Sequence, residues 1–105
     1  MLRSLSCLLL TTLLGCSASH VVTRCGSQIC LVVEAPAAKT VAFASSADGF
    51  ALLPIRRDHG GRYTATMPAA GEFSYFFVVD GRVYVPECRD REFDDFGGSN
   101  CLYHP

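Results

Sequence analysis

The sequence lacks several features that whole classes of protein require. It has no Lys or Arg cluster and a formal net charge of −1 over 105 residues, so the electrostatic footprint of a nucleic-acid-binding protein is missing. Heptads, internal repeats and long amphipathic segments are absent, which argues against a helical architecture. The longest largely apolar stretch, Leu5 to Leu14, is broken only by small polar residues, and it would rise only about 15 Å as a helix against a hydrocarbon core of about 30 Å. We therefore expect one small domain without a transmembrane span.

Groups that could support catalysis are also scarce. The three histidines, His20, His59 and His104, fall in a polar segment, a turn and the C-terminal tail, with no serine or cysteine nucleophile nearby. Isolated histidines of this kind are usually solvated surface groups. We therefore predict that the chain is not an enzyme and needs no cofactor.

An acidic run occupies the last third of the chain: Glu87, Asp90, Glu92, Asp94 and Asp95. Calcium takes six to eight oxygen ligands, often from a regular ladder of carboxylates. Arginines interrupt this run and no Asp-x-Asp ladder is present, so the pattern favours a solvated acidic loop over a metal site.

The chain begins with "MLRSLSCLLLTTLLGC", a charged start followed by a short apolar stretch that ends in Gly-Cys. These are the proportions of a secretory signal, and "LLGC" resembles the bacterial lipobox. The resemblance implies cleavage after residue 15, a diacylglyceryl group on the Cys16 thiol and an acylated amino terminus. Ser17, in place of the Asp that retains lipoproteins at the inner membrane, implies an outer-membrane address facing the periplasm. The alternative is an ordinary signal peptide that is cut after Ala18.

Four of the six cysteines remain available after export and lipidation: Cys25, Cys30, Cys88 and Cys101. An even number in a small exported domain predicts two disulfides. Three pairings are possible, of which the local one, Cys25–Cys30 with Cys88–Cys101, is favoured. Zinc is disfavoured because the C-x₄-C and C-x₁₂-C spacings lack the tight knuckle of a zinc ribbon.

The pattern after the signal predicts a lipidated cysteine and short polar tether over residues 16–28 and a β-sandwich over residues 29–105. About seven short strands alternate with turn signals, which is typical of an all-β sandwich. One hairpin, "GEFSYFFVVDGRVYV" (residues 71–85), turns at Asp80-Gly81, a pair suited to a type I′ turn. Its first arm is apolar on both faces, since Phe76 lies opposite the core-facing residues.

The segments "GGRYTATMPAAGEFSYFFVVDGRVYVPE" and "DDFGGSNCLYHP" resemble the glycogen-binding modules, carbohydrate-binding module family 48, found in the β subunit of AMP-activated protein kinase. The similarity covers about residues 30–104 and implies an early-set immunoglobulin-like fold. The matching positions occur in order along the chain: Gly61, Tyr63, Pro68, Gly71, Phe73, Tyr75, Phe77, Val79, Asp80, Gly81, Gly97 and Asn100.

The resemblance also marks the positions that hold α-glucan in the family, and most of them differ here. Phe50 replaces the first of two tryptophans, and Val83 or Tyr84 replaces the second. Phe76 replaces a lysine, Phe96 stands at an aliphatic position, and Asn100 is retained. The chain has no tryptophan.

Two interpretations of Phe76 follow. It packs under the loop from Pro86 to Ser99 as part of an enlarged core, or it forms an exposed apolar patch with Phe50, Val83 and Phe96, as at partner sites.

Three functions therefore remain open at the level of sequence. The first is a lipid-anchored, non-catalytic envelope protein whose altered glycan face binds another envelope protein. The second is a glycan-binding lipoprotein that stacks sugars on Phe50, Tyr84 and Phe96 and uses Asn100. The third is a structural envelope module without a specific ligand.

Overall fold

A computed structural model describes residues 18–93 and 98–105, so the predicted signal peptide, Cys16 and Phe96 lie outside the described residues. Within these residues, two short 3₁₀ turns, Ser46–Asp48 and His59–Gly61, interrupt an otherwise all-β structure. No helix in the described ranges is long and apolar enough to cross a membrane. The strands are β1 (Ser19–Cys25), β2 (Gln28–Glu34), β3 (Val41–Ser45), β4 (Leu53–Ile55), β5 (Arg62–Pro68), β6 (Phe73–Val79), β7 (Arg82–Tyr84), β8 (Arg91–Phe93) and β9 (Ser99–Tyr103).

These strands form two antiparallel sheets. The small sheet has the order β1-β2-β5, and the large sheet has the order β4-β3-β6-β9-β8, with β7 also paired to β6. Strand β6 is central to the large sheet because β3 pairs along one side of it, while β9 and β7 share the other side. The predicted all-β, immunoglobulin-like sandwich is confirmed.

The core follows from side-chain alternation along the strands. Strand β2 buries Ile29, Leu31 and Val33, while the residues between them face outward. Strand β6 buries Phe73, Tyr75 and Phe77 in the same way. Tyr63 crosses between the layers, and its hydroxyl donates a hydrogen bond to the carbonyl of Ala38 over 3.0 Å. In the described residues, every buried side-chain nitrogen and oxygen has a hydrogen-bond partner.

The segment predicted to be a tether is in part a strand. Strand β1 pairs with β2 along its whole length, from Ser19 opposite Glu34 to Cys25 opposite Gln28. Its Val-Val-Thr run favours extended backbone, and Gly26, at φ 69°, supplies the left-handed residue that the following turn needs. The sandwich therefore starts ten residues before the expected Ile29. With this strand and β8, the described part of the chain has nine strands where about seven were expected.

The two predicted disulfides, Cys25–Cys30 and Cys88–Cys101, are confirmed. The first closes the hairpin between β1 and β2. The second joins the segment after β7 to the fully buried Cys101 on β9. It therefore ties the chain that leads into β8 to the centre of the large sheet.

The Asp80-Gly81 turn also has the predicted geometry, with both residues at positive φ, 49° and 81°. The Asp80 carboxylate accepts hydrogen bonds from the backbone N–H groups of Lys39 and Thr40, at 2.7 and 2.9 Å. Both hydrogen bonds lower the pKa of Asp80, and the bond from Thr40 has the larger effect. This acidic residue is therefore a structural connection between the turn and the loop that precedes β3.

Candidate functional site

The outer face, defined as the side of the large sheet turned away from the small sheet, carries the residues singled out in the sequence. Because β6 buries Phe73, Tyr75 and Phe77 inward, its alternate residues point outward. Antiparallel partners share a face, so the strand register extends this surface to the neighbouring strands. Its members are Ala42, Ala44, Ser74, Phe76, Val78, Val83, Glu92, Asn100 and Leu102.

Phe50 and Phe76 form a stacked pair at the centre of this face. Their ring centroids are 5.7 Å apart and their planes differ by only 16°, a geometry that aromatic pairs favour. Ala44, the cross-strand neighbour of Phe76, is fully buried, and its small side chain leaves room for rings above it. Both phenylalanines are half-buried, so the pair is partly a local core and partly surface.

Phe50 is held in a backbone conformation that its side chain disfavours. Its φ is 64°, in the left-handed region that costs an L-residue about 1–2 kcal/mol. The Ser46–Asp48 turn and its C-cap residue Gly49 immediately precede Phe50. The Phe50 N–H donates to the carbonyl of Ser45 over 2.7 Å, which fixes the backbone in this conformation. Strain of this kind is concentrated at functional sites, and here its result is to place a phenyl ring on Phe76.

A shallow cleft of about 290 Å³ lies beside Phe50. Phe93, at the end of the edge strand β8, borders this cleft and is 76% exposed, although the sequence did not single it out. Because Phe93 pairs with Ser99 and alternates with the outward Glu92, it lies at the edge of the outer face and is not one of its members. The Ser46 hydroxyl, part of the opposite wall, accepts a hydrogen bond from the backbone N–H of Ser74 over 3.0 Å. The cleft is lined by Ser46, Phe50, Ser74, Glu92, Phe93 and Asn100, which combine two rings with hydroxyl, carboxylate and carboxamide groups.

The remaining predicted ligand residues do not all share this surface. Val83 pairs with the outward Val78 and is 66% exposed, so it belongs to the outer face. Tyr84 pairs with the buried Phe77 and points to the inner side, where its hydroxyl donates to the carbonyl of Ala18 over 3.3 Å. Burial, with a smaller contribution from the charge of Glu87, raises the pKa of Tyr84. Phe96 lies outside the described residues.

His20 does not lie in a solvated tether, as the sequence suggested. On β1 it faces the rings of Tyr75 and Phe77, with centroids 5.6 and 5.4 Å away. Its Nδ1–H donates to the carbonyl of Val32 over 2.9 Å, so its Nε2 accepts from the Tyr75 hydroxyl over 2.8 Å. Burial lowers the pKa of His20, and the hydrogen bond to Val32 offsets this effect only in part. Burial also raises the pKa of Tyr75 to about 12. The pair joins the two sheets through a neutral hydrogen bond.

A second polar contact involving a histidine lies at the surface. His104 and Asp90 make a surface contact of 2.9 Å between Nε2 and Oδ2. Across residues 18–93 and 98–105, no group of three or more His, Cys, Asp or Glu side chains is placed to hold a metal ion. Asp94 and Asp95 of the acidic run lie outside the described residues.

A scan of the chain against protein-family models finds no match, and a search of curated proteins finds no relative. The outer face must therefore be interpreted from its own chemistry.

Two residues that sequence reasoning missed had detectable signals. For His20, the signal was the β-branched run after it, followed by Gly26 between two closely spaced cysteines, Cys25 and Cys30. For Phe93, the signal was its position a few residues after Cys88, whose disulfide partner lies on β9. The pairing of Arg91 with Cys101 is what brings β8 to the sheet edge.

Proposed function

We propose that the chain is a non-catalytic binding module of the bacterial cell envelope, anchored by lipid on Cys16, whose outer face takes a partner protein. The observation that carries this proposal is an aromatic cleft at the edge of the outer face, where the stacked pair of Phe50 and Phe76 adjoins Phe93 of the edge strand β8. Phe93 is largely exposed, and it shares a cleft with Phe50, which is itself stacked on Phe76 at a backbone cost. Aromatic residues that are gathered on a surface in this way are typical anchors of protein interfaces.

The ring arrangement favours a protein over a sugar. A sugar platform needs open ring faces, whereas Phe50 and Phe76 are half-buried and each turns one face toward the other. Next to them, Val83 extends the exposed apolar area. Burial of apolar area against a complementary protein surface contributes about 25 cal/mol per Å² to binding. This contribution does not depend on the lysine and tryptophan side chains that hold sugar in the glycogen-binding modules.

The experiment compares two variants at exposed positions. Phe93→Asp places a charge beside the cleft at the edge of the outer face, while Val21→Asp, at a residue that is 53% exposed on the small sheet, serves as the matched control. Mature protein carrying each change is used to capture partners from detergent-solubilised envelope. Loss of a hot-spot aromatic costs about 2 kcal/mol, or about 30-fold in affinity. We expect a band that is retained by the wild type and the control and lost with Phe93→Asp; a band lost equally with both would refute the proposed face.

Glycan binding is the second candidate, because Glu92 and Asn100 line the cleft beside Phe93 and supply groups that bind hydroxyls. The resemblance to glycogen-binding modules points the same way. Relative to that family, replacement of two indoles and a lysine removes about 2–4 kcal/mol of binding free energy, a factor of about 30 to 1,000.

We therefore expect no retardation of the mature domain in an affinity gel containing glycogen or starch. Clear retardation that disappears with Asn100→Ala would favour the glycan over the protein partner.

A further inference from the structure

One end of the sandwich combines the chain's amino-terminal strand with most of its positive charge. The register places Ser19 beside Glu34 and Arg62, and on the large sheet it places Val41 beside Val79 and Arg82. The loop before β3 connects the two sets at one end of the sandwich. Asp80 of the large sheet accepts a hydrogen bond from the backbone N–H of Lys39 in this loop. The backbone N–H of Ala35, in the same loop, donates to the carbonyl of Gly61, next to β5 of the small sheet, over 2.9 Å. We call this the anchor-proximal end; it comprises Ser19 and residues 34–40, 56–62 and 80–82.

The charges are unevenly divided between this end and the rest of the domain. Of the eight Lys and Arg residues in the described ranges, five lie here, whereas only three of the eight Asp and Glu residues do. The basic set at this end is Lys39, Arg56, Arg57, Arg62 and Arg82, and the acidic set is Glu34, Asp58 and Asp80. All eight of these residues are exposed.

The acidic groups at this end are already engaged within the protein. Glu34 is paired with Arg62 over 3.0 Å, Asp58 accepts from the backbone N–H of Arg62 over 3.2 Å, and Asp80 binds two backbone N–H groups. Among the described residues, Lys39, Arg56 and Arg82 form no ion pair. The unpaired charge that remains at this end is therefore positive.

The distance from the proposed anchor is short. Because β1 begins at Ser19, only Ser17 and Ala18 separate the strand from Cys16, and three residue steps span at most about 11 Å. This is close to the screening length of about 8 Å at physiological salt, within which a basic residue is attracted to anionic headgroups. A lipid on Cys16 would thus hold these cations where a charged bilayer acts on them.

We propose that the anchor-proximal end is a membrane-docking surface that binds anionic phospholipid headgroups and holds the sandwich upright on the bilayer. This inference rests on the proposed lipid anchor. In the docked orientation the strands run away from the membrane, and the outer face points sideways, with the cleft that Phe93 borders at its edge. A partner protein would therefore have to be membrane-bound or to lie close to the bilayer surface.

The test measures the height of the C-terminus above the bilayer by energy transfer. Tyr103 pairs with Phe73 at the far end of β6, so a donor dye after Pro105 sits about 23 Å, one seven-residue strand, beyond the docked end. Mature protein is placed in phosphatidylcholine vesicles with or without phosphatidylglycerol, with acceptor dye on a headgroup. Measurements at 0.1 M and 1 M salt correspond to screening lengths of about 10 and 3 Å.

We expect low transfer on phosphatidylglycerol vesicles at 0.1 M salt, and an increase of about twofold at 1 M salt, where screening releases the domain to tilt. Arg56→Gln/Arg82→Gln should raise the transfer already at 0.1 M salt. Arg24→Gln/Arg89→Gln, which removes the same charge elsewhere, should behave like the wild type. None of the four makes an ion pair within the described residues.

Two results would refute the docking surface without refuting the anchor. The first is that energy transfer of the acylated protein does not change with salt concentration or with lipid charge. The second is that the two double variants change the energy transfer equally. The mass of the mature protein is measured first, since a chain without acyl groups would refute the anchor and the docking surface together.

Discussion

The strained backbone at Phe50 leads to a prediction that reverses the usual order of two substitutions. Both Phe50→Ala and Phe50→Gly remove the ring and its stack on Phe76, which contributes about 0.5–1.5 kcal/mol beyond its area. They differ at the backbone, because φ is 64° and only glycine adopts that value without steric cost. We therefore expect Phe50→Gly to be the more stable variant.

The magnitude follows from two opposing effects. Left-handed backbone costs alanine about 1–2 kcal/mol relative to glycine, whereas the greater freedom of glycine in the unfolded chain costs about 0.5–1 kcal/mol. The net difference is about 1 kcal/mol in favour of glycine, or about 4–8 °C in Tm for a domain of this size. The stack itself is measured by combining Phe50→Gly with Phe76→Ala, with an expected coupling of about 0.5–1.5 kcal/mol.

Thermal and urea unfolding of the oxidised mature protein provides the assay. Phe93 serves as the control because it is also a phenylalanine that lines the cleft but lies in the extended strand β8, where alanine should be more stable than glycine by about 0.5–1 kcal/mol. If Phe50→Gly proves no more stable than Phe50→Ala, the strain at Phe50, and with it the argument that the ring is kept for binding, is wrong.

Three further predictions concern stability and export. Because the pKa of His20 is lowered in the folded protein, the free energy of unfolding should be constant above the unfolded-state value of about 6.5 and fall as the pH drops below it; urea titrations from pH 8 to 5 should show this loss, and His20→Gln should reduce it. Replacing Cys88 and Cys101 by serine should cost about 3 kcal/mol, and replacing Cys25 and Cys30 about 2 kcal/mol because the loop is shorter; similar losses for the two pairs in urea unfolding would contradict this ranking. Cys16→Ser should leave the protein unprocessed or release it to the soluble fraction, and a variant that is cut and still pellets with membranes would show that the lipid anchor is wrong.

The features that sequence predicted correctly depend on local signals. The alternation of β6, the positive φ values at Asp80-Gly81 and the two short-range disulfides are each specified by neighbouring residues. In contrast, the polar composition of the segment that forms β1 predicts a tether, because composition alone does not reveal the pairing of this strand with β2.

The surface was harder to predict because it depends on register. A shift of one residue moves a side chain to the opposite face of a strand, and this alone decides between Val83, which lies on the outer face, and Tyr84, which reaches Ala18 on the inner side. Phe93 joins the cleft only because β8 adds to the edge of β9. Edge pairing of this kind is a tertiary event that leaves little trace in the local sequence.

The central claim, that the outer face binds a partner protein, is tested most directly by site-specific photo-cross-linking in intact cells. A photoreactive phenylalanine analogue is placed at Phe93 in one strain and at Val21, on the opposite sheet, in another. The account predicts a discrete adduct of higher mass from position 93 and none from position 21. Absence of an adduct at position 93, or the same adducts from both positions, would contradict it.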